Sequence, residues 1–149
     1  MATVSPLLNY TTTVSVDKTI GQIQKLLVSA GATNVATDYR RVDDTHLPVG
    51  IVFTVNTEYG FRKFSLPVNL TSVQAVLTRQ RVQPKFRSVE QAARVAWRIV
   101  KDWVEAQLAI IETEMVTLDQ VMLPYMQDDS GETVYGLYRG QQLAALERG

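Results

Sequence analysis

The sequence of 149 residues contains no cysteine, a single histidine, and eight glycines that are scattered along the chain. The absence of cysteine excludes a disulfide framework, a zinc ribbon, an iron–sulfur cluster and a thiol nucleophile, and it fits a reducing compartment. A Ser-His-Asp triad would need the imidazole of His46, which lies in an Asp-rich turn and is better explained as a solvated loop residue. The scattered glycines form neither a phosphate-binding P-loop nor a dinucleotide-binding fingerprint.

The carboxylates also offer little support for a metal or catalytic centre. The pairs Asp43-Asp44 and Asp128-Asp129 lack the spaced third and fourth ligands of a known cation-binding loop, so acidic turns explain them better. No other constellation of residues favours catalysis. We therefore predict that the protein is not an enzyme and that it holds no metal and no cofactor.

Long hydrophobic runs are missing as well. No stretch approaches the roughly 18 uncharged apolar residues that a membrane-spanning helix requires, and residues 1–9 lack the basic and apolar segments of a signal peptide. We expect a cytoplasmic protein without membrane association. Intrinsic disorder is excluded because 46% of the residues are hydrophobic and only 20% are charged.

The 15 Lys and Arg residues balance the 15 Asp and Glu residues, but the two signs are separated along the chain. Residues 62–101 hold nine bases and one acid, a balance of +8, whereas residues 102–134 hold eight acids and no base. Such asymmetry is typical of a protein that presents an electrostatic surface to phosphate groups or to an acidic partner. The alternative is that folding places the acidic segment against the basic one and leaves no net patch.

Hydrophobic periodicity predicts a single α+β domain over residues 1–149, with an antiparallel sheet of three to four strands packed against helices. Alternating residues predict strands over 10–16, 33–41, 49–56 and 61–68, and short turns join the last three as a meander. Pro67 should end its strand or lie at an edge. A helix should begin at an Asp17 cap and stop at Gly31, and a second should span residues 70–79.

One long helix dominates the C-terminal half of the prediction. It begins at Ser88, which forms a capping-box pattern with Gln91, and runs without Gly or Pro to about Met115. Its length of roughly 40 Å and its two apolar stripes predict burial against more than one neighbour. Beyond it, the sequence predicts a short helix from Thr117, a short strand over 133–138 and a final helical turn or two over 141–148.

Three segments together resemble a known group of proteins. They are residues 62–68 (RKFSLPV), residues 91–108 (QAARVAWRIVKDWVEAQL) and residues 123–125 (LPY). They resemble a family of small uncharacterised proteins encoded by bacteriophages, prophages and other bacterial mobile elements, and the likeness covers most of the chain up to Tyr125. The resemblance implies a cytoplasmic protein that acts inside a bacterial host, and it supplies no activity and no binding residues.

Binding has more support than catalysis, because the interval 59–103 combines nine bases with six aromatic residues. Nucleic-acid recognition uses this combination, with cations on phosphates and aromatic faces under bases. Trp97 and Trp103 are expected in the core. The predicted residues for nucleic-acid or phosphate binding come from a hairpin tip with its following strand, from an exposed loop around Pro84, and from the long helix; they are Tyr59, Arg62, Lys63, Arg79, Arg81, Lys85, Arg87 and Arg94.

Three functions remain open from the sequence. The first is an accessory protein of phage type that binds nucleic acid through the basic, aromatic-containing surface. The second is a small protein that sequesters a nucleotide-like signal, with the same cations holding its phosphates. The third is a homo-oligomeric structural or adaptor protein, which the long helix with its two apolar stripes suggests.

Overall fold

The computed structural model describes residues 5–148 and has an α+β fold, as the sequence predicts. A three-stranded antiparallel sheet packs against helices, and a 24-residue helix lies in the C-terminal half. The order of elements is α1 Val16–Ser29, β1 Ala32–Val42, β2 Thr45–Thr57, β3 Gly60–Pro67, α2 Leu70–Arg79, α3 Val89–Glu112, α4 Leu118–Met122 and α5 Val134–Arg148. Short 3₁₀ turns, Pro84–Phe86 and Leu123–Tyr125, precede α3 and follow α4.

The sheet is a meander in the order β1-β2-β3, closed by two tight turns. Asp43 and Asp44 form the first turn, and both have positive φ, as hairpin turns of two residues require. This turn is shorter than the predicted connection of 43–48, because residues 45–48 extend β2. The second turn ends at Gly60, whose φ of 98° favours glycine. Pro67 ends β3, which is an edge strand, as predicted.

The hydrophobic core lies between the sheet, α1 and α3. Ile23 of α1, Phe53 and Phe64 of the sheet, and Trp97 of α3 are almost fully buried within one cluster. Burial of side chains of this size stabilises the fold by roughly 1.5–3 kcal/mol each. The indole Nε1 of Trp97 donates to the carbonyl oxygen of Pro48 at 3.0 Å, so the polar atom of this buried ring has a partner.

Helices α1 and α3 run parallel to one another. Ser15, which caps α1, and Gln91, in the first turn of α3, line one cleft, whereas Ala30 and Ala109 at the other ends of the same helices line a second. The positive ends of both helix dipoles therefore lie at the same end of the molecule, which we call the amino end. The β2–β3 hairpin lies at the opposite, carboxyl end, because Glu58 shares a cleft with Ala30.

Two predicted strands are wrong. Residues 10–16 contain a turn and an extended segment without sheet pairing, and α1 begins at Val16 with Ser15, not Asp17, as its cap. Residues 133–138 form no strand either, since α5 begins at Val134 and absorbs both the predicted strand and the predicted final helical turns. The described sheet therefore has three strands, with Met126 adding one isolated bridge at the edge of β3.

The last helix, α5, lies largely outside the core. None of its described residues is buried, and it contacts mainly the turn Leu123–Tyr125. Its exposed large apolar side chains are Tyr135, Leu137, Tyr138, Leu143 and Leu146. The predicted length of α3 is nearly correct, but its final residues stay exposed and no other described element buries them.

Candidate phosphate-binding surface

A concave site forms at the amino end, where the segment before α1 crosses the beginning of α3. One side of this cleft of about 350 Å³ is lined by four residues that carry hydroxyl groups, Thr11, Thr12, Thr13 and Ser15. The other wall carries Lys85, Phe86, Gln91 and Arg94. We call this site the threonine cleft. It combines neutral hydrogen-bond donors with two cations, which is the chemistry of an anion site.

Gln91 holds the two walls of the threonine cleft together. Its amide nitrogen Nε2 donates to the carbonyl oxygens of Tyr10, at 2.9 Å, and Thr12, at 3.0 Å. The ring of Tyr10 also packs edge-on against Phe86, with ring centroids 5.6 Å apart. These contacts fix residues 10–12 on α3 although they form no regular secondary structure.

The same glutamine orients Arg94. Nε of Arg94 donates to Oε1 of Gln91 at 2.8 Å, and its two terminal nitrogens have no hydrogen-bond partner among residues 5–148. Since Gln91 is 4% exposed, the guanidinium is fixed through a buried side chain. The terminal nitrogens of Arg94 are therefore available to an anion at little cost in side-chain entropy.

Lys85 and Phe86 complete the cationic wall. Nζ of Lys85 lies 5.0 Å from the centroid of the Phe86 ring, a cation–π geometry. The ring stands in the 3₁₀ turn Pro84–Phe86, which begins where Pro84 ends the preceding extended segment. The exposed ammonium group thus lies beside the cleft without an ion-pair partner among the described residues.

The loop between α2 and α3 adds Arg79, Arg81 and Arg87. Arg81 follows the cap of α2 and has a φ of 55°, in the left-handed region that favours glycine. The backbone N–H of Arg81 donates to Thr78 and that of Val82 to Leu77, the two bonds of a Schellman motif. Arg87 is held by a 2.6 Å hydrogen bond from its Nε to the carbonyl oxygen of Val82. The chain keeps an arginine where glycine would be less strained.

These five predicted residues belong to one stretch, and we call them the 79–94 cations: Arg79, Arg81, Lys85, Arg87 and Arg94. None of them forms an ion pair within residues 5–148. Asp17 and Glu90 lie in the first turns of α1 and α3, but neither lines the threonine cleft. The positive charge of this stretch is therefore left largely uncompensated by direct contacts.

The other three predicted residues, Tyr59, Arg62 and Lys63, lie at the carboxyl end. Tyr59 is 69% exposed at the hairpin tip. Arg62 and Lys63 line a cleft of about 710 Å³ together with acidic residues of the turn after the Leu123–Tyr125 segment, namely Asp128, Asp129 and Glu132. The hairpin tip thus lies near the end of α1 and the threonine cleft near its beginning, and α1 is about 21 Å long for its 14 residues.

The acidic turn beside the hairpin is well ordered by hydrogen bonds. Oδ1 of Asp128 accepts from the hydroxyl of Ser130 at 2.6 Å and from the backbone N–H groups of Ser130 and Glu132. These bonds hold the pKa of Asp128 below its ordinary value of 3.8, and the bond from the Ser130 hydroxyl has the largest effect. The carboxylate is therefore charged at neutral pH and adds negative potential next to Arg62 and Lys63.

The acidic turn thus lies beside Arg62 and Lys63, without an ion pair to either within residues 5–148, whereas no acidic residue lines the threonine cleft. The backbone N–H of Gln127 donates to the carbonyl oxygen of Lys63 at 2.8 Å, which brings the acidic turn onto the edge of β3. No comparable contact joins the acidic segment to the 79–94 cations.

Sequence reasoning missed the hydroxyl wall of the threonine cleft and the role of Gln91. The run Thr11-Thr12-Thr13 precedes the Ser15 cap, and the alternation of Thr12, Val14 and Val16 with polar neighbours predicts a strand there. A cluster of hydroxyl residues before a helix cap is the one local signal that could indicate this wall. The contacts of Gln91 with residues some 80 positions earlier leave no local signal.

The two tryptophans differ in burial. Trp97 is buried as predicted, and Trp103 packs half-buried against Tyr125 with ring centroids 5.9 Å apart. Residues 5–148 bring together no group of three or more His, Cys, Asp or Glu side chains in a metal-binding arrangement. No helix in the described part of the chain combines the length and apolar character needed to cross a membrane.

Comparison of the chain with protein-family models, with curated proteins and with solved structures yields no match.

Proposed function

We propose that the protein is an accessory protein that binds nucleic acid through the 79–94 cations, and that it is not an enzyme. The observation that carries this proposal is the group of five cations at the amino end, none of which is ion-paired within residues 5–148. The resemblance to phage and mobile-element proteins favours the cytoplasm of a bacterial host as its place of action. Affinity would come mainly from contacts to phosphates.

Arg81 adds a second observation: it and Glu114 are the two described residues other than Gly, Asn and Asp that have a left-handed backbone. A residue other than glycine in the left-handed region costs about 1–2 kcal/mol, and this arginine makes no side-chain hydrogen bond within residues 5–148 that would repay the cost. Strained residues cluster at functional sites, where a role other than folding keeps them. A phosphate contact would be such a role.

The test is fluorescence anisotropy with labelled single-stranded DNA, duplex DNA and RNA at several salt concentrations. Each phosphate contact contributes about −0.7 to the slope of log K against log salt on single strands and about −0.9 on duplex DNA. Five contacts on a single strand therefore predict a slope near −3.5. Binding that does not respond to salt, or no binding at low salt, would contradict the proposal.

Arg81→Gly separates binding from folding. Glycine relieves the left-handed strain, so the variant should unfold at the same temperature as the wild-type protein or higher, while its salt slope falls by about one contact. Arg79→Ala should lower the slope by the same amount. The matched control is Arg139→Ala, which removes an exposed arginine from α5 and should leave both affinity and slope unchanged.

A second candidate function is sequestration of a nucleotide-like signal, and the threonine cleft is the observation that favours it. Its volume of about 350 Å³ lies at the small end of the range of roughly 300–1,000 Å³ found for ligand pockets. Mass spectrometry of ligands released from the purified protein tests this function. A protein that releases no nucleotide and shows no thermal shift with a nucleotide panel would rule it out.

A further inference from the structure

The threonine cleft differs from the surrounding basic surface because it is concave and is lined by hydroxyl residues together with two cations. We infer that it takes a terminal phosphomonoester, the phosphate group at the end of a nucleic-acid strand or on a mononucleotide. The strand-end reading rests on the proposed function, since it assumes that nucleic acid is bound by the 79–94 cations. The free nucleotide is the other source of the same chemistry.

The charge of the cleft favours a monoester over an internal phosphodiester. Lys85 and Arg94 supply two positive charges, and no carboxylate lines the cleft. A phosphomonoester carries about −1.5 to −2 at pH 7 and offers three oxygens, whereas a diester within a strand carries −1. Two cations gain more from the doubly charged group, because the Coulomb attraction grows with the charge of the anion.

The donors of the cleft are free to meet those oxygens. The terminal nitrogens of Arg94 have no partner within residues 5–148, and neither do the hydroxyls of Thr11 and Thr13. The hydroxyl of Ser15 accepts a bond from the backbone of Lys18 and keeps its own hydrogen to donate. The guanidinium itself is held by Gln91, so little ordering is needed when an anion arrives.

The position of the cleft adds a further favourable field. It lies at the amino ends of α1 and α3, which are parallel and have 14 and 24 residues. Both helix dipoles direct their positive ends toward this region, which stabilises negative charge there. An internal phosphodiester, with a single charge, would gain less from this field than a terminal monoester.

The experiment compares matched single-stranded oligonucleotides that differ only at their ends. One has hydroxyls at both ends, one a 5′-phosphate and one a 3′-phosphate; thymidine and thymidine monophosphate test the free ligand. We expect the full chain to bind one phosphorylated oligonucleotide at least about tenfold more tightly than the hydroxyl form, the effect of one charge-assisted hydrogen bond or more.

Lys85→Ala and Arg94→Gln should abolish this preference. Lys85 is exposed, so the first variant tests the inference even if Arg94→Gln disturbs folding through Gln91. Arg79→Ala should weaken binding of all three oligonucleotides by the same factor, because Arg79 lies outside the cleft. Arg139→Ala should change nothing.

The outcomes separate the inference from the proposed function. A preference for a phosphorylated end that Lys85→Ala removes supports both. Equal binding of all three oligonucleotides, without binding of thymidine monophosphate, overturns the inference and leaves the proposed function standing. Binding of thymidine monophosphate but of no oligonucleotide overturns the proposed function, and it supports the cleft chemistry with the free nucleotide as source.

Discussion

Gln91 joins the beginning of α3 to the carbonyl oxygen of Tyr10 through a 2.9 Å hydrogen bond that spans 81 positions of the sequence. The donor belongs to a buried amide, and the acceptor belongs to a segment without regular structure. The shape of the threonine cleft therefore depends on one side chain that need not touch a ligand.

Replacing Gln91 by Leu should destabilise the protein and loosen the segment before α1. The change removes the donor to Tyr10 and Thr12 and the acceptor for Arg94, and leaving such groups unpaired costs about 1–3 kcal/mol. Urea unfolding measures the loss, and hydrogen exchange of the amides of residues 11–13 reports the loosening. Gln142→Leu, at an exposed position of α5, is the control; equal effects of the two changes would disprove the role of Gln91.

The two tryptophans should respond differently to replacement by phenylalanine. Trp97→Phe leaves the carbonyl oxygen of Pro48 without its indole donor in a fully buried site, so we expect a loss of about 2–3 kcal/mol. Trp103 is half-buried and its indole nitrogen has no partner within residues 5–148, so Trp103→Phe should cost clearly less. Thermal and urea unfolding of both variants check the order; a larger loss for Trp103→Phe would contradict it.

The turn at Asp128 should weaken in acid. Its carboxylate has a pKa below 3.8 because it accepts the Ser130 hydroxyl and backbone N–H groups. A group whose pKa is lowered on folding stabilises the folded turn above the ordinary value, and this contribution is lost as the pH falls through the lower, folded pKa. A carboxyl titration by nuclear magnetic resonance should therefore place the pKa of Asp128 below its ordinary value of 3.8. A pKa at or above 3.8, or Ser130 and Glu132 amide shifts that do not follow it, would contradict the bonding described.

If the protein is a homo-oligomer, we predict that its copies associate through α5. The helix exposes large apolar side chains, including Leu143 at 50% and Leu146 at 77%, and a second copy could cover them. Light scattering of the full chain should give a multiple of the monomer mass. Leu143→Lys with Leu146→Lys should reduce it to the monomer, whereas Gln141→Lys with Gln142→Lys adds the same charge at polar positions and should not. A strictly monomeric wild-type protein would exclude the oligomer.

Local signals predicted much of the fold correctly because they act within a few residues. The serine and threonine caps at Ser88 and Thr117 begin helices as expected, and Gly31 ends α1 with a φ of 106°. The bounds of α2 match the predicted 70–79. Each of these features depends on the backbone conformation of one residue or on a hydrogen bond to a neighbour three positions away.

The two strand predictions are wrong for different physical reasons. The alternation over 10–16 is real, but the carbonyl groups of this segment bond to Gln91 and not to a neighbouring strand. The helix over 134–148 contains Gly136 and Gly140 and buries none of its residues, so it shows no apolar face that a periodicity search could detect. In both cases the structure of the segment depends on its tertiary neighbours, which the local sequence does not specify.

The candidate site was predicted as a set of residues but not as an arrangement. Five of the eight predicted residues belong to the 79–94 cations, and their proximity follows from closeness in sequence. The remaining three are separated from them because α1 and α3 run parallel, a relation that depends on tertiary packing. The approach of Asp128 to Lys63 likewise follows from the bridge between Phe64 and Met126, which no local pattern encodes.

The parallel helices have a consequence for kinetics that is separate from affinity. A chain whose formal charge is zero feels no net pull from a polyanion, yet this molecule has the 79–94 cations at one end and Glu58, Glu112 and Asp119 at the other. This separation of charge is an electric dipole, and a dipole experiences a torque in the field of a nucleic acid. The torque turns the amino end toward the nucleic acid before contact. Encounters would then begin in the productive orientation, and the association rate would fall with added salt although the total charge is zero.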